Sequence, residues 1–267
     1  MERRGEVLLD NKTAVVYGGG PIGGAVARAF AREGARVCVA GRTEATLDKV
    51  AQEIRAAGGK AETAQVDALD ERSVDDHADA LVQRDGSIDV SFNAIGFGDI
   101  HGTPVLQMTF EDFVLPISNA IRSQFLTARA ASRHMIPRGS GVILAITATT
   151  ARQALPDVGG TGVRFDATES LCRQLAAELG PSGIRVLALR TSGIPEAIQG
   201  TGPFPDYGRG TGDMTRAEFF DWAQNKTMLK RMTSLSEFSN VAAFMASDQA
   251  SAMTGSVVNV DCGAAWG

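Results

Sequence analysis

Seven short β-rich runs punctuate the chain as strand candidates, at 13–17, 36–40, 61–66, 88–93, 142–147, 184–189 and 257–260. Several are unbroken Val/Ile/Leu, without the alternation of a half-exposed strand, as expected for strands covered on both faces. The stretches between them carry apolar residues at helical spacing. Ile22, Val26, Ala29 and Phe30 fall on one such face, which Gly34 terminates. Leu171, Leu175 and Leu179 line another, ended by Gly180-Pro181, and MTRAEFFDWAQNK (214–226) also reads as helix. Repeated strand–helix–strand order predicts an α/β fold: one Rossmann-like, doubly wound parallel sheet of about seven strands, with helices on both faces and right-handed crossovers. The whole chain, 1–267, is expected to form this single dinucleotide-binding domain. One stretch breaks the rhythm. IPEAIQGTGPFPDYGRGTGD (194–213) is rich in Gly and Pro and too long for an ordinary connection. With the helix after it, it predicts a substrate loop or lid over about 194–226.

The first strand runs into Gly18-Gly19-Gly20-Pro21-Ile22-Gly23, a G-x-G-x-x-G turn between strand and helix. The first glycine permits the tight turn, the second admits a pyrophosphate close to the backbone, and the third packs helix on strand. Free N–H groups at the helix N-terminus then face the phosphates. The second strand ends in Gly41-Arg42-Thr43. An acid there would accept from both ribose hydroxyls of NAD, whereas the Arg42 guanidinium suits a 2′-phosphate, so NADP(H) is expected before NAD(H). Asp67, with Ala68 beside it, ends the third strand, where its carboxylate either meets an adenine amino group or serves a surface turn.

Charge and cysteine usage narrow the class. The 26 Lys+Arg and 31 Asp+Glu give a net charge of −5, which argues against a protein that tracks nucleic-acid phosphates. Cys38, Cys172 and Cys262 are widely spaced, so reduced, packed thiols are expected rather than disulfides or a metal site. No apolar stretch approaches the ~18 residues of a membrane span, and the first residues lack the apolar core of a signal peptide. A cytoplasmic protein acting on a small molecule is expected.

The segments together resemble the short-chain dehydrogenase/reductase family over nearly the whole chain. Ile22-Gly23 followed by AVARAFAREGARV is similar to its first helix and second strand, and Asn93-Ala94-Ile95-Gly96 to its Asn-Asn-Ala-Gly segment. LAAELGPSGIRV (175–186) and SDQASAMTGSVVNVDCG (247–263) are similar to the segment before strand six and to the C-terminal strand. The resemblance implies a nicotinamide cofactor held by Gly18, Gly20, Ile22, Gly23, Arg42, Thr43, Asp67, Ala68, Asn93, Ala94, Ile95 and Ile194, and a homotetramer or dimer. The glycine turn is one residue shorter than the family's usual one, and the family's Pro-Gly pair after strand six falls on Thr191-Ser192.

The larger departures are chemical. The family's Tyr-x-x-x-Lys positions fall on Thr161 and Phe165, its serine on Ala148, and its helix asparagine on Ala120. The two tyrosines, Tyr17 and Tyr207, have no lysine four residues later. A phenol acidified by a cation can pass a proton, but a threonine hydroxyl has no comparable acidity. Losing a general acid costs on the order of 10²–10⁴ in rate. The resemblance therefore implies an oxidoreductase with a non-standard proton relay. Candidates to serve it are His101, with Asp99 to orient it, Thr147, Thr149 and Thr150 beside the serine position, Arg164 one turn beyond Thr161, and Tyr207 in the long loop. Arg164 reads equally as an interface cation paired with Asp166 or Glu169, His77 as exposed among acids, and His134 as a helix-end cation. A repurposed non-redox enzyme and a non-catalytic nucleotide-sensing scaffold on the same fold are the competing readings. Strict cofactor dependence with net hydride transfer separates the first reading from both.

Overall fold

The structure, a computed structural model, describes residues 7–199 and 215–264. A parallel sheet is built from β1 (Thr13–Tyr17), β2 (Arg36–Gly41), β3 (Lys60–Gln65), β4 (Val90–Asn93), β5 (Gly141–Ala148), β6 (Ile184–Thr191) and β7 (Val257–Val260). Their order is β3-β2-β1-β4-β5-β6-β7. The chain works outward from β1 to β3, then returns to lay β4 on the other side of β1. That reversal opens a crevice beyond the carboxyl ends of β1 and β4, where open α/β sheets take their ligands. The register lines up the strand ends: Tyr17 pairs with Ala40 and Asn93, Asn93 with Ala145, and Ala148 with Thr191. Residues leaving β1, β4, β5 and β6 therefore share one rim.

Helices α1 (Pro21–Arg32), α2 (Glu44–Ala56), α3 (Glu71–Asp85), α4 (Phe110–Met135), α5 (Thr161–Leu179) and α8 (Leu235–Ala246) flank the sheet, and the shorter α6 (Pro195–Gln199) and α7 (Arg216–Lys226) follow β6. Two apolar cores result. Val16, Val39, Leu144 and Leu189 meet residues of α1, α2 and α8 on one face, while Val15, Cys38, Ile143 and Val186 meet α3, α4 and α5 on the other. Successive residues of the inner strands thus face different cores, whereas the edge strands β3 and β7 are half-exposed and carry polar residues. Local capping fixes several helix starts. Asp70 and Thr109 accept from the third residue of α3 and α4, and capping boxes open α7 (Thr215, Glu218) and α8 (Ser234, Glu237). Among the described residues no helix is long and apolar enough to cross a membrane.

The buried stripe of α5 differs from the leucine reading. It runs through Thr161, Arg164, Thr168, Glu169, Cys172, Ala176 and Leu179, while Leu171 and Leu175 are only half-buried. The N-terminal half of this stripe is polar because it faces the rim and a buried ion pair. His77 is also not an exposed residue among acids. It shares the inner face of α3 with Val74 and Leu81, 3.4 Å from both the Tyr17 hydroxyl and the Cys38 sulfur. Burial there holds its pKa down at about 4 and pushes the Cys38 thiol up to about 11. Tyr17 is fully buried, its phenol pKa raised by burial, and is part of this core rather than of the crevice. His134 pairs with Asp79 at 2.8 Å.

Candidate active site

The rim begins at the glycine turn. Gly18 has φ +104°, and its N–H donates to the Ala40 carbonyl at 2.7 Å. A Cβ on Gly23 would stand 1.8 Å from the Gly18 carbonyl oxygen, so no side chain fits where α1 crosses the turn. Gly20 differs: its Cβ direction opens onto space with nothing within 4 Å. Gly20 is also the N-cap of α1, and no side chain caps that helix. Open space in front of uncapped N–H groups at the positive end of a helix is the geometry that receives a phosphate.

The turn continues into a cavity of about 200 Å³ lined by Gly18, Gly20, Arg42, Thr43, Asp67 and Ala68, with Ala94 and Ile95 on its other side. Arg42 is exposed and has no ion-pair partner among the described residues. Asp67 serves its turn as well, since its Oδ1 accepts the Leu69 N–H at 3.0 Å. Asn93 pins the loop that divides the crevice. Its amide donates to Ser123 and Thr127, both at 3.1 Å, and its Oδ1 accepts the Ile95 N–H.

Beyond that loop lies a larger cavity of about 920 Å³, reached by Ile22, Ala94, Ile95 and Ile194 from the nucleotide side. It unites most of the candidate residues. His101 Nε2 and Thr161 Oγ1 lie 3.0 Å apart, although sixty residues separate them. Arg164 Nη2 pairs with Asp99 Oδ2 at 2.8 Å, and its guanidinium lies over the Phe165 ring, 4.0 Å from the centroid. Of the two readings of Arg164, the cleft-facing one holds and the pairing with Asp166 or Glu169 does not, because Arg164 faces the cavity rather than the outer side of α5. Burial raises the Asp99 pKa, and the Arg164 and His101 charges counter that shift. Burial likewise lowers the Arg164 pKa, which Asp99 counters. Ala148, Thr149 and Thr150 line the same cavity.

Thr147 is not available for a substrate: it is fully buried, and its hydroxyl donates to Glu169 Oε1 at 3.0 Å. Tyr207 lies outside the described residues. Three features escaped the sequence. Glu169 takes Arg190 in a bidentate ion pair at 2.8 and 2.6 Å, tying α5 to the ends of β5 and β6. Gln124 Nε2, Thr150 Oγ1, Thr191 Oγ1 and Ser192 Oγ are buried without a hydrogen-bond partner among the described residues, and all four line the larger cavity. Buried polar atoms are ordinarily paired, so this set fits a ligand bearing an amide or other polar groups. Phe219 and Trp222 of α7 also reach the cavity. A long polar-looking loop gave no sign of that aromatic wall, though the FFDW run was its available signal. Among the described residues, no group of three or more His, Cys, Asp or Glu is placed to hold a metal.

This fold, with a glycine turn at the switch point and a large cavity beside it, agrees with the comparisons to known proteins. A family profile described as Enoyl-(Acyl carrier protein) reductase matches residues 19–265. The chain belongs to the short-chain dehydrogenase/reductase family and is of the oxidoreductase type. It is similar to an uncharacterized oxidoreductase of Bacillus subtilis strain 168, 33% identical over 96% of this chain and 91% of that one. Gluconate 5-dehydrogenase of Gluconobacter oxydans strain 621H is 29% identical over 91% of this chain and 90% of its own. Among solved structures, a gluconate 5-dehydrogenase from Burkholderia cenocepacia J2315 in complex with NADP and tartrate superposes with a TM-score of 0.84, at 26% identity over 97% of each chain.

Proposed function

We propose that this protein is an NADP(H)-dependent oxidoreductase that interconverts a carbonyl and a secondary alcohol, with His101 and Thr161 carrying the proton. The observation that supports it most is the 3.0 Å contact between His101 Nε2 and Thr161 Oγ1 on the cavity wall. Gly18, Gly20, Ile22 and Gly23 would hold the pyrophosphate, Arg42 and Thr43 the 2′-phosphate, Asp67 and Ala68 the adenine side, and Asn93, Ala94, Ile95 and Ile194 the nicotinamide side. When bound, the cofactor would supply the hydride for the carbonyl carbon. As the carbonyl π pair moves onto oxygen, that oxygen takes the Thr161 hydroxyl proton, and Thr161 takes the Nε2 proton of the His101 imidazolium, leaving neutral imidazole. The imidazole then regains its proton from solvent. Thr161 needs no low pKa of its own in such a relay, because imidazole titrates in the neutral range. Thr161 is also the first residue of α5, so negative charge developing on the substrate oxygen meets the positive end of a 19-residue helix. The Asp99–Arg164 pair holds a cation over Phe165, next to the relay, in a family whose usual cation at that position is absent here.

The described parts of 194–226 support a substrate-side role, since Ile198, Phe219, Trp222 and Lys226 line the cavity. Phe110, Leu115 and Phe125 of α4 and Val163 of α5 are exposed apolar residues, which fits a homodimer or homotetramer packed through these two helices. Calorimetric titration tests the cofactor assignment. NADPH is expected to bind more tightly than NADH, and Arg42→Ala to reduce that preference roughly tenfold, the worth of one charge-assisted phosphate contact. Binding of neither nucleotide overturns the proposal in favour of a cofactor-independent protein.

A further inference from the structure

We infer that the substrate is a bulky apolar ketone or its alcohol, of alicyclic or aryl-fused type, rather than a sugar acid; this rests on the oxidoreductase reading above. The cavity's polar groups come from α4 and from the segments leaving β4, β5 and β6, where the cofactor and the reacting carbonyl belong. Much of that polarity is already committed. Asn93 is bound to Ser123 and Thr127, Thr147 to Glu169, and the Gln153 amide to the Ala264 carbonyl. Arg164, the buried cation of the lining, commits Nη2 to Asp99, which already neutralises its charge, while its Nε keeps no hydrogen-bond partner among the described residues.

The remaining wall is supplied by residues 155–158, by α6 and α7, and by Met232. Among the described residues it presents Leu155, Val158, Ile198, Phe219, Trp222 and Met232, together with the Lys226 cation. Four of the apolar side chains sit close together in pairs. The Phe219 and Trp222 rings lie 5.8 Å apart between centroids, and Ile198 and Met232 both close over the Cα of Gly193. A volume of about 920 Å³ is near the top of the roughly 300–1,000 Å³ range of small-molecule sites, enough for a nicotinamide and a second ring system together. A sugar acid carries a hydroxyl on almost every carbon. Each one brought against the apolar side chains of this wall would lose its water without gaining a partner there, at roughly a tenfold cost in affinity. An apolar ring gains where the sugar loses.

The test uses the full chain and the bicyclic ketone 2-tetralone against 5-keto-gluconate. The chain has two tryptophans, Trp222 and Trp266, so emission quenching reports binding directly, and Trp222→Phe assigns the signal. Saturable quenching by 2-tetralone that disappears in Trp222→Phe is expected, with none from the keto acid. In NADPH-linked turnover, kcat/KM for 2-tetralone is expected to exceed that for the keto acid by about 100-fold. Absence of saturable tetralone binding, or a preference for the keto acid in either readout, overturns the inference. Tetralone binding at Trp222 without hydride transfer upholds the cavity's ligand class and overturns the redox reading instead.

Discussion

Glu169 offers the sharpest test of how the cleft is held together. Its side chain is 0% exposed, and that of its partner Arg190 is 5% exposed. The carboxylate accepts from Arg190 Nε and Nη2 and from the Thr147 hydroxyl, so one buried charge joins α5, β5 and β6. Glu169→Gln keeps the shape and leaves Thr147 an acceptor, but removes the charge that compensates the guanidinium. Arg190 retains only Asn259 Oδ1, at 3.2 Å, among its other described hydrogen-bond partners. Breaking one side of a buried pair costs about 3–5 kcal/mol. At about 2–4 °C per kcal/mol for a domain of this size, Tm should fall by roughly 6–20 °C. Replacing the whole cluster, Glu169→Met and Arg190→Met with Thr147→Val, should recover most of that loss, because no buried charge or hydroxyl is then stranded. Urea and thermal unfolding at fixed protein concentration and pH 7.5, in low and high salt, provide the measurement. The loss should be nearly insensitive to salt, since buried pairs are screened little. A loss below about 1 kcal/mol, or one abolished by salt, would show a solvated pair and refute the reasoning.

Two other outcomes follow from the same structure. His77 has a folded pKa of about 4 against an ordinary 6.5, so between these pH values the unfolded chain binds a proton that the folded chain does not. Its contribution is complete above pH 6.5 and is lost as pH falls toward 4, by up to about 3 kcal/mol, and Tm measured against pH should fall less steeply in His77→Gln. Sedimentation should show Phe125→Asp with Val163→Glu shifting the assembly to monomer, and an unchanged assembly would move the interface elsewhere.

The parts of this fold that were legible in the sequence are those governed by local chemistry. A strand buried on both faces needs an unbroken apolar run, and 13–17 coincides with β1, which is buried throughout, while 257–260 coincides with the edge strand β7. The glycine turn was legible because steric exclusion leaves no other residue at Gly23. The relay was not, because His101 and Thr161 meet only through the packing of the 94–109 segment on α5. Nothing local in the sequence joins Glu169 to Arg190, because the two lie twenty-one residues apart and meet only where α5 packs on β6. His77 was misjudged from its acidic neighbours, although its three-residue spacing from Val74 places it on the buried face of α3.

In the proposed reaction the proton passes through His101 and Thr161. The pH dependence of kcat for NADPH-linked ketone reduction, measured for the natural protein, His101→Asn and Thr161→Val, tests it directly. The natural protein should lose rate on the alkaline side, as the imidazole is deprotonated. Both variants should be slower by a factor on the order of 10²–10⁴, with NADPH affinity preserved, and His101→Asn should lack that alkaline limb. Unchanged rates, or an alkaline limb that survives in His101→Asn, would contradict the account.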